Sequence, residues 1–164
     1  EALKGIDIAV RAFEKLPDKK LYVAGNGPMM EEMQRYVREH HMENVKFLGY
    51  LQKDEMSEKF YQAKAVIMTS QCYEAFAMTI AEAYSYGVPV IAGRVGNMDG
   101  MVQDGITGVK FTYNSAEDLA DKISAFDAMD LSVLKKNARA FYAERLRPED
   151  NYQKLIRIYE DISK

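Results

Sequence analysis

Apolar positions along the chain change their spacing repeatedly, and each change marks an element. Ile6, Ala9, Phe13 and Leu16 recur at the spacing of one helical face, and Pro17-Asp18 closes that run. "LYVAG" (21–25) is an apolar strand that stops at the turn Asn26-Gly27. Pro28 suits the first turn of the next helix, because it needs no amide partner there. Met30, Met33 and Val37 form that helix's buried stripe. "NVKFLGY" (44–50) reads as a second strand and "MSEKFYQA" (56–63) as a short helix. "AVIMTS" (65–70) reads as a third strand, whose unbroken apolar run predicts burial on both faces. A helix over 76–86 leads into the strand "VPVIA" (88–92). The glycine-rich stretch 93–111 predicts a loop ending in a short strand. Ser115 stands three residues before Asp118, a capping-box spacing that opens a helix with Ala116, Leu119, Ile123 and Phe126 inward. Two more amphipathic helices carry Leu131, Leu134, Ala138 and Phe141, then Tyr152, Leu155, Ile156, Tyr159 and Ile162.

This alternation predicts an α/β fold, a Rossmann-like parallel sheet with helices on both faces. The 164 residues suit one domain, with no internal repeat or linker. In such sheets, ligands bind beyond the carboxyl ends of the strands. That places a site on the loops Gly25–Pro28, Leu48–Lys53, Ser70–Thr79 and Gly93–Met98.

Composition narrows the classes. A net charge of −3 and a pI near 5.5 lack the basic footprint of a nucleic-acid binder. No apolar run approaches the roughly 20 residues that span a bilayer. A single cysteine, Cys72, leaves no internal disulfide and fits a reducing cytoplasm. With only His40 and His41 beside it in the composition, a zinc site is not supported. A nicotinamide fingerprint needs Gly-x-Gly-x-x-Gly after a strand, and "GNGPMM" supplies methionine at the third glycine.

The chemistry concentrates in "CYEAFAMTIAEAYSYGVPVIA" (72–92), where Glu74 and Glu82 interrupt a strongly apolar run. Carboxylates are rarely buried without a partner. Were both on one helix, they would stand about 12 Å apart along it and roughly 80° apart around it. A better reading puts Glu74 in the loop ahead of the helix and Glu82 in its second or third turn. The amides of Ala77, Met78 and Thr79 then form an exposed first turn that suits an anion such as a diphosphate. The flanking carboxylates would repel phosphate, so they suit neutral hydroxyl groups instead. A nucleotide sugar offers that order: hexose hydroxyls, a diphosphate, then ribose hydroxyls.

The run Glu74-x-Phe76 to Glu82-Ala83, followed by Gly87-x-Pro89-Val90-Ile91, resembles the donor-binding half of the retaining GT-B glycosyltransferases of family four. Lys4-Gly5, Gly25-x-Gly27-Pro28, "VKFLGYL", "DGITG" and the tyrosine-bearing final helix extend the resemblance over nearly the whole chain. The resemblance implies catalytic roles for Glu74, on hydroxyls of the transferred sugar, and for Lys4, neutralising the leaving group. It implies that Glu82 holds the ribose hydroxyls and that Phe76 and the amides around Ala77, Met78 and Thr79 enclose the diphosphate and sugar. Gly25, Leu48 and Tyr50 would edge the nucleotide. Retaining transfer from a UDP-sugar without a metal or other cofactor is implied, and no Asp-x-Asp motif is present. The acceptor would be a growing polysaccharide or glycolipid, with the whole protein in the cytoplasm or at the inner face of the membrane. Residues 1–164 would then form the donor-binding half, with the acceptor-binding half and the domain's first strand preceding Glu1.

Three positions depart from the family pattern. Gly100 stands where a glutamate is expected, with Asp99 as a neighbouring carboxylate, Ala77 replaces a glycine, and the arginine of the first strand is not in the chain. A nucleotide-sugar-binding module without catalysis and a GT-B epimerase are the alternatives.

Overall fold

In the computed structural model, which describes residues 2–73 and 76–162, strands and helices alternate as the pattern predicts. After a single 3-10 turn over Ala2–Lys4 come α1 (Ile6–Glu14), β1 (Leu21–Ala24), α2 (Met30–Glu39), β2 (Val45–Gly49) and α3 (Lys53–Gln62). Then follow β3 (Val66–Met68), α4 (Met78–Ser85), β4 (Val90–Gly93), α5 (Gly96–Met101) and β5 (Gly108–Phe111). The chain closes with α6 (Ala116–Phe126), α7 (Leu131–Arg145) and α8 (Pro148–Ile162).

All pairing is parallel. Leu21 lies opposite Val45 in the β1–β2 pair, and Val66, Val90 and Gly108 align across β3, β4 and β5. The sheet expected as one is divided, however. Among the described residues no ladder joins β1 to β3, so the order is β1–β2 in one sheet and β3–β4–β5 in the other.

Side chains alternate across the strands and build two cores. Leu21, Ile91, Val109 and Phe111 pack on one face with α1, α2 and α6, through residues such as Phe13, Met33 and Leu119. Val90 and Ala92 face the other way, against Phe60 of α3, Ile80 and Tyr84 of α4, Met98 of α5 and Ala138 of α7. β4 is buried throughout. β3 is not: its residues are only half-buried, because its far edge carries no strand.

Three local differences have physical causes. α5 forms inside the stretch read as loop: Gly96, at φ +52°, turns the chain from extended Val95 into a helix that buries Met98. α3 starts earlier than its apolar spacing suggests, because the Glu55 carboxylate accepts from the Gln52 amide at 2.7 Å and caps it. At α6, Ser115 Oγ accepts from the Asp118 amide as expected, but the Asp118 carboxylate turns to the Thr112 amide. The stripe on α8 is exposed rather than packed, including Tyr152, Leu155, Tyr159 and Ile162. Among the described residues no helix is long and apolar enough to cross a membrane.

Candidate functional site

A cleft of about 570 Å³ runs between β1 and β3 and opens at their carboxyl ends. Its mouth is formed by Lys4, Gly25, Phe76, Met78 and Thr79, five of the residues singled out from the sequence. Glu74 lies outside the described residues.

Lys4 is placed by its backbone. The Thr69 hydroxyl donates to the Lys4 carbonyl at 2.9 Å, and the Gln71 amide donates to the Leu3 carbonyl at 2.7 Å. Gly5 then turns the chain into α1 at φ +65°, with its carbonyl accepting from the Ile8 amide at 3.1 Å. Residues 3–5 are thereby fastened to the end of β3. Thr69 and Ser70, buried polar residues at that end, also line the cleft. Thr69 was not a candidate from sequence, although a polar pair closing an apolar strand is a readable signal.

Gly25 sits at φ +110°, and its amide donates to the Gly49 carbonyl at 2.6 Å. That bond ties the turn after β1 to the end of β2. Leu48 is half-buried and Tyr50 is 71% exposed, and neither lines the cleft.

α4 begins at Met78, two residues later than its apolar run suggests. Ala77 is its N-cap residue and is fully buried. The Met78 amide donates to the Phe76 carbonyl at 3.0 Å, and the Ile80 amide to the Ala77 carbonyl at 2.9 Å. Between them, the Thr79 amide has no acceptor among the described residues. The expected row of three free amides therefore narrows, with Met78 already engaged and Thr79 open. Glu82 lies one turn further on, four residues after Met78 and three after Thr79, so its side chain neighbours both on the helix surface. It is exposed, does not line the cleft, and its carboxylate has no hydrogen bond or ion pair among the described residues.

The opposite side of α4 is buried. Fully buried Tyr84 donates from its hydroxyl to the Met101 carbonyl at 3.3 Å and lies 2.7 Å from the Thr107 hydroxyl, which accepts from the Gln103 amide at 2.9 Å. Burial pushes the Tyr84 phenol up to about 12. Asp99 is engaged elsewhere: its carboxylate lies 3.0 Å from Lys110 Nζ and 4.0 Å from Arg94. Gly100 is exposed, with open space where a side chain would point. Among the described residues no group of three or more His, Cys, Asp or Glu side chains could hold a metal ion.

Two half-sheets with helices on both faces and a cleft at the strand ends define a Rossmann-like α/β domain, the C-terminal half of the GT-B architecture. The model of the family "Glycosyl transferases group 1" matches residues 1–139, and the chain belongs to that family. It is 29% identical to the sulfoquinovosyl transferase of Arabidopsis thaliana over 141 residues, 83% of this chain and 27% of that protein. It is 28% identical to the N-acetyl-alpha-D-glucosaminyl L-malate synthase of Bacillus anthracis over 164 residues, 98% of this chain and 42% of that protein. Sucrose-phosphate synthase from Thermosynechococcus elongatus superposes with a TM-score of 0.86 at 26% identity, over 99% of this chain and 43% of that one. HepE of Anabaena, solved in complex with UDP, shares the fold with a TM-score of 0.89 at 23% identity, over 98% of this chain and 46% of that one. The chain thus spans less than half the length of these relatives.

Proposed function

We propose that this domain is the donor half of a retaining, metal-independent glycosyltransferase of family four, which moves a hexose from a nucleoside diphosphate to an acceptor such as a polysaccharide or glycolipid. The observation that carries the reading is the mouth of the cleft, where Lys4, the Gly25 turn and the start of α4 converge. Breaking the sugar–phosphate bond places negative charge on the departing diphosphate. Fixed donors aimed at that charge lower the barrier, commonly by a few kcal/mol for each strong contact. The open Thr79 amide and the positive end of α4 supply such donors from the backbone, and Lys4 adds a cation. Glu82, unpaired one turn above, accepts from the ribose hydroxyls. Glu74 takes the corresponding role toward the sugar, and the acceptor supplies the nucleophile from the protein's other half. UDP is the nucleotide proposed first, supported by the family and by the UDP held in HepE.

Calorimetric titration of the whole protein with UDP, GDP and ADP tests this. One of the three should bind saturably, and Glu82→Ala should weaken it by about tenfold or more, the value of one charge-assisted hydrogen bond. Glu74→Ala should matter for the intact sugar donor and little for the bare nucleotide. Equal losses from both variants on bare UDP would refute the assigned roles.

A further inference from the structure

The loop between β3 and α4 presents Tyr73 almost bare to solvent. At 85% it is the most exposed of the large apolar and aromatic residues described, and its hydroxyl has no hydrogen bond among the described residues. Yet the chain that carries it is fastened. The Gln71 amide donates to the Leu3 carbonyl at 2.7 Å, and the Cys72 sulfur lies 3.1 Å from the Ser70 hydroxyl. Tyr73 itself backs onto the first residue of α5. A Cβ on Gly96 would fall 3.1 Å from the Tyr73 ring and 3.2 Å from the Tyr73 Cα. Gly96 also sits at φ +52°, so this glycine both turns the chain into α5 and leaves room for the ring. An aromatic ring held in this way offers contact area with little side-chain freedom left to lose.

Its position says what it meets. Ser70 and Phe76, three residues to either side of Tyr73, both line the cleft, and Gly96 stands three residues past the end of β4. The ring therefore lies on the rim of the mouth, at the carboxyl ends of β3 and β4. A pyranose is two-sided: hydroxyls project from its edge, while C–H groups cover a face. The electron-rich face of an aromatic ring suits those C–H groups, as a carboxylate suits the hydroxyls. We propose that Tyr73 is a binding platform for the transferred sugar, a neutral hexose of the gluco or galacto series whose C–H face packs on the ring. This rests on the donor-binding reading above, in which Glu74, the next residue, takes the sugar's hydroxyls. The platform selects for a sugar with an unbroken apolar face and leaves the nucleotide untouched.

Calorimetric titration of the whole protein with bare UDP, UDP-glucose, UDP-galactose and UDP-N-acetylglucosamine tests the platform in Tyr73→Ala and Tyr73→Phe. Tyr73→Ala should weaken the sugar donor that binds by about tenfold, the value of one buried aromatic contact, and bare UDP by less than about twofold. Tyr73→Phe should keep donor affinity within about twofold, because the ring and not the hydroxyl makes the contact. Neither variant should move Tm by more than about 2 °C, since the side chain is on the surface. Unchanged donor affinity in Tyr73→Ala would overturn the platform and leave the donor reading standing. Equal losses on UDP and on the donor would do the same, assigning the ring to a protein contact, as would equal losses from the two variants. Binding of UDP with none of the three sugars tolerated would also overturn it, because each offers such a face. Bare UDP failing to bind would instead sink the nucleotide reading on which the platform stands, and the platform with it.

Discussion

Gly5→Ala is the substitution that most sharply tests how the cleft mouth is built. Gly5 occupies φ +65°, and a Cβ there would fall 2.2 Å from the Thr69 carbonyl oxygen and 3.0 Å from its carbon. The left-handed conformation costs an alanine about 1–2 kcal/mol. The contact is with backbone, so relief requires residues 3–5 to lift from the end of β3, a rearrangement of about 1–3 kcal/mol by analogy with overpacked cores. Together these give about 3 kcal/mol, a large part of the stability of an ordinary domain. For a chain of this size that corresponds to a fall in Tm of about 6–12 °C. The same movement breaks the hydrogen bonds from Thr69 and Gln71 that place Lys4, so affinity for the nucleotide should fall along with stability. Thermal unfolding followed by circular dichroism is the assay. Unfolding within about 1 kcal/mol of the unaltered protein would refute the claim that this glycine holds the chain against β3.

Gly100→Ala should act in the opposite direction. It lies in α5 with open space around the missing Cβ, so it should gain about 0.5–1 kcal/mol in chemical denaturation, and a loss would show that α5 is not helical in solution. Tyr84→Phe removes a buried hydroxyl from Thr107 and Met101 and should cost about 1–2 kcal/mol at neutral pH. Because the folded phenol titrates at about 12, above its ordinary value near 10, its contribution is complete below pH 10 and is lost as pH rises toward 12. Alkaline destabilisation over that window should shrink in Tyr84→Phe, and an unchanged slope would exclude Tyr84 as its source. Asp99→Asn should leave nucleotide affinity within about twofold, since its carboxylate is held by Lys110 and Arg94 rather than by the cleft.

Much of the fold is legible in the sequence because it is local. The alternation of strand and helix runs is read directly from their spacing, and the structure bears it out. The placement of Gly25 and the start of α4 at the cleft follows from the rule that sites lie beyond strand carboxyl ends, whereas Lys4 enters only through the family resemblance. The apolar run of β3 predicts burial on both faces, yet β3 is half-buried, because hydrophobicity records that a strand needs neighbours without saying which segment provides them. α5 was hidden by its two glycines, whose low helix propensity is overridden by the burial of Met98. His40, set aside in the sequence as no metal ligand, meets the Glu14 carboxylate at 2.7 Å and the Tyr36 ring at 3.9 Å. The Glu14 contact joins α1 to the end of α2 across 26 positions, beyond the reach of any spacing rule. Likewise, the Met78 amide's turn onto Phe76 depends on the loop's path into the helix, which spacing does not fix.

On the proposed function, the start of α4 and Lys4 hold a pyrophosphate, with the Gly25 turn at the nucleotide's edge. Amide chemical-shift mapping of the ¹⁵N-labelled protein during a UDP titration addresses that directly. The largest saturable shifts are predicted at Thr79, Met78, Gly25 and Asn26. Shifts confined to the surface of α2 around Arg35 and Arg38, or none that saturate with any of the three nucleotides, would contradict it.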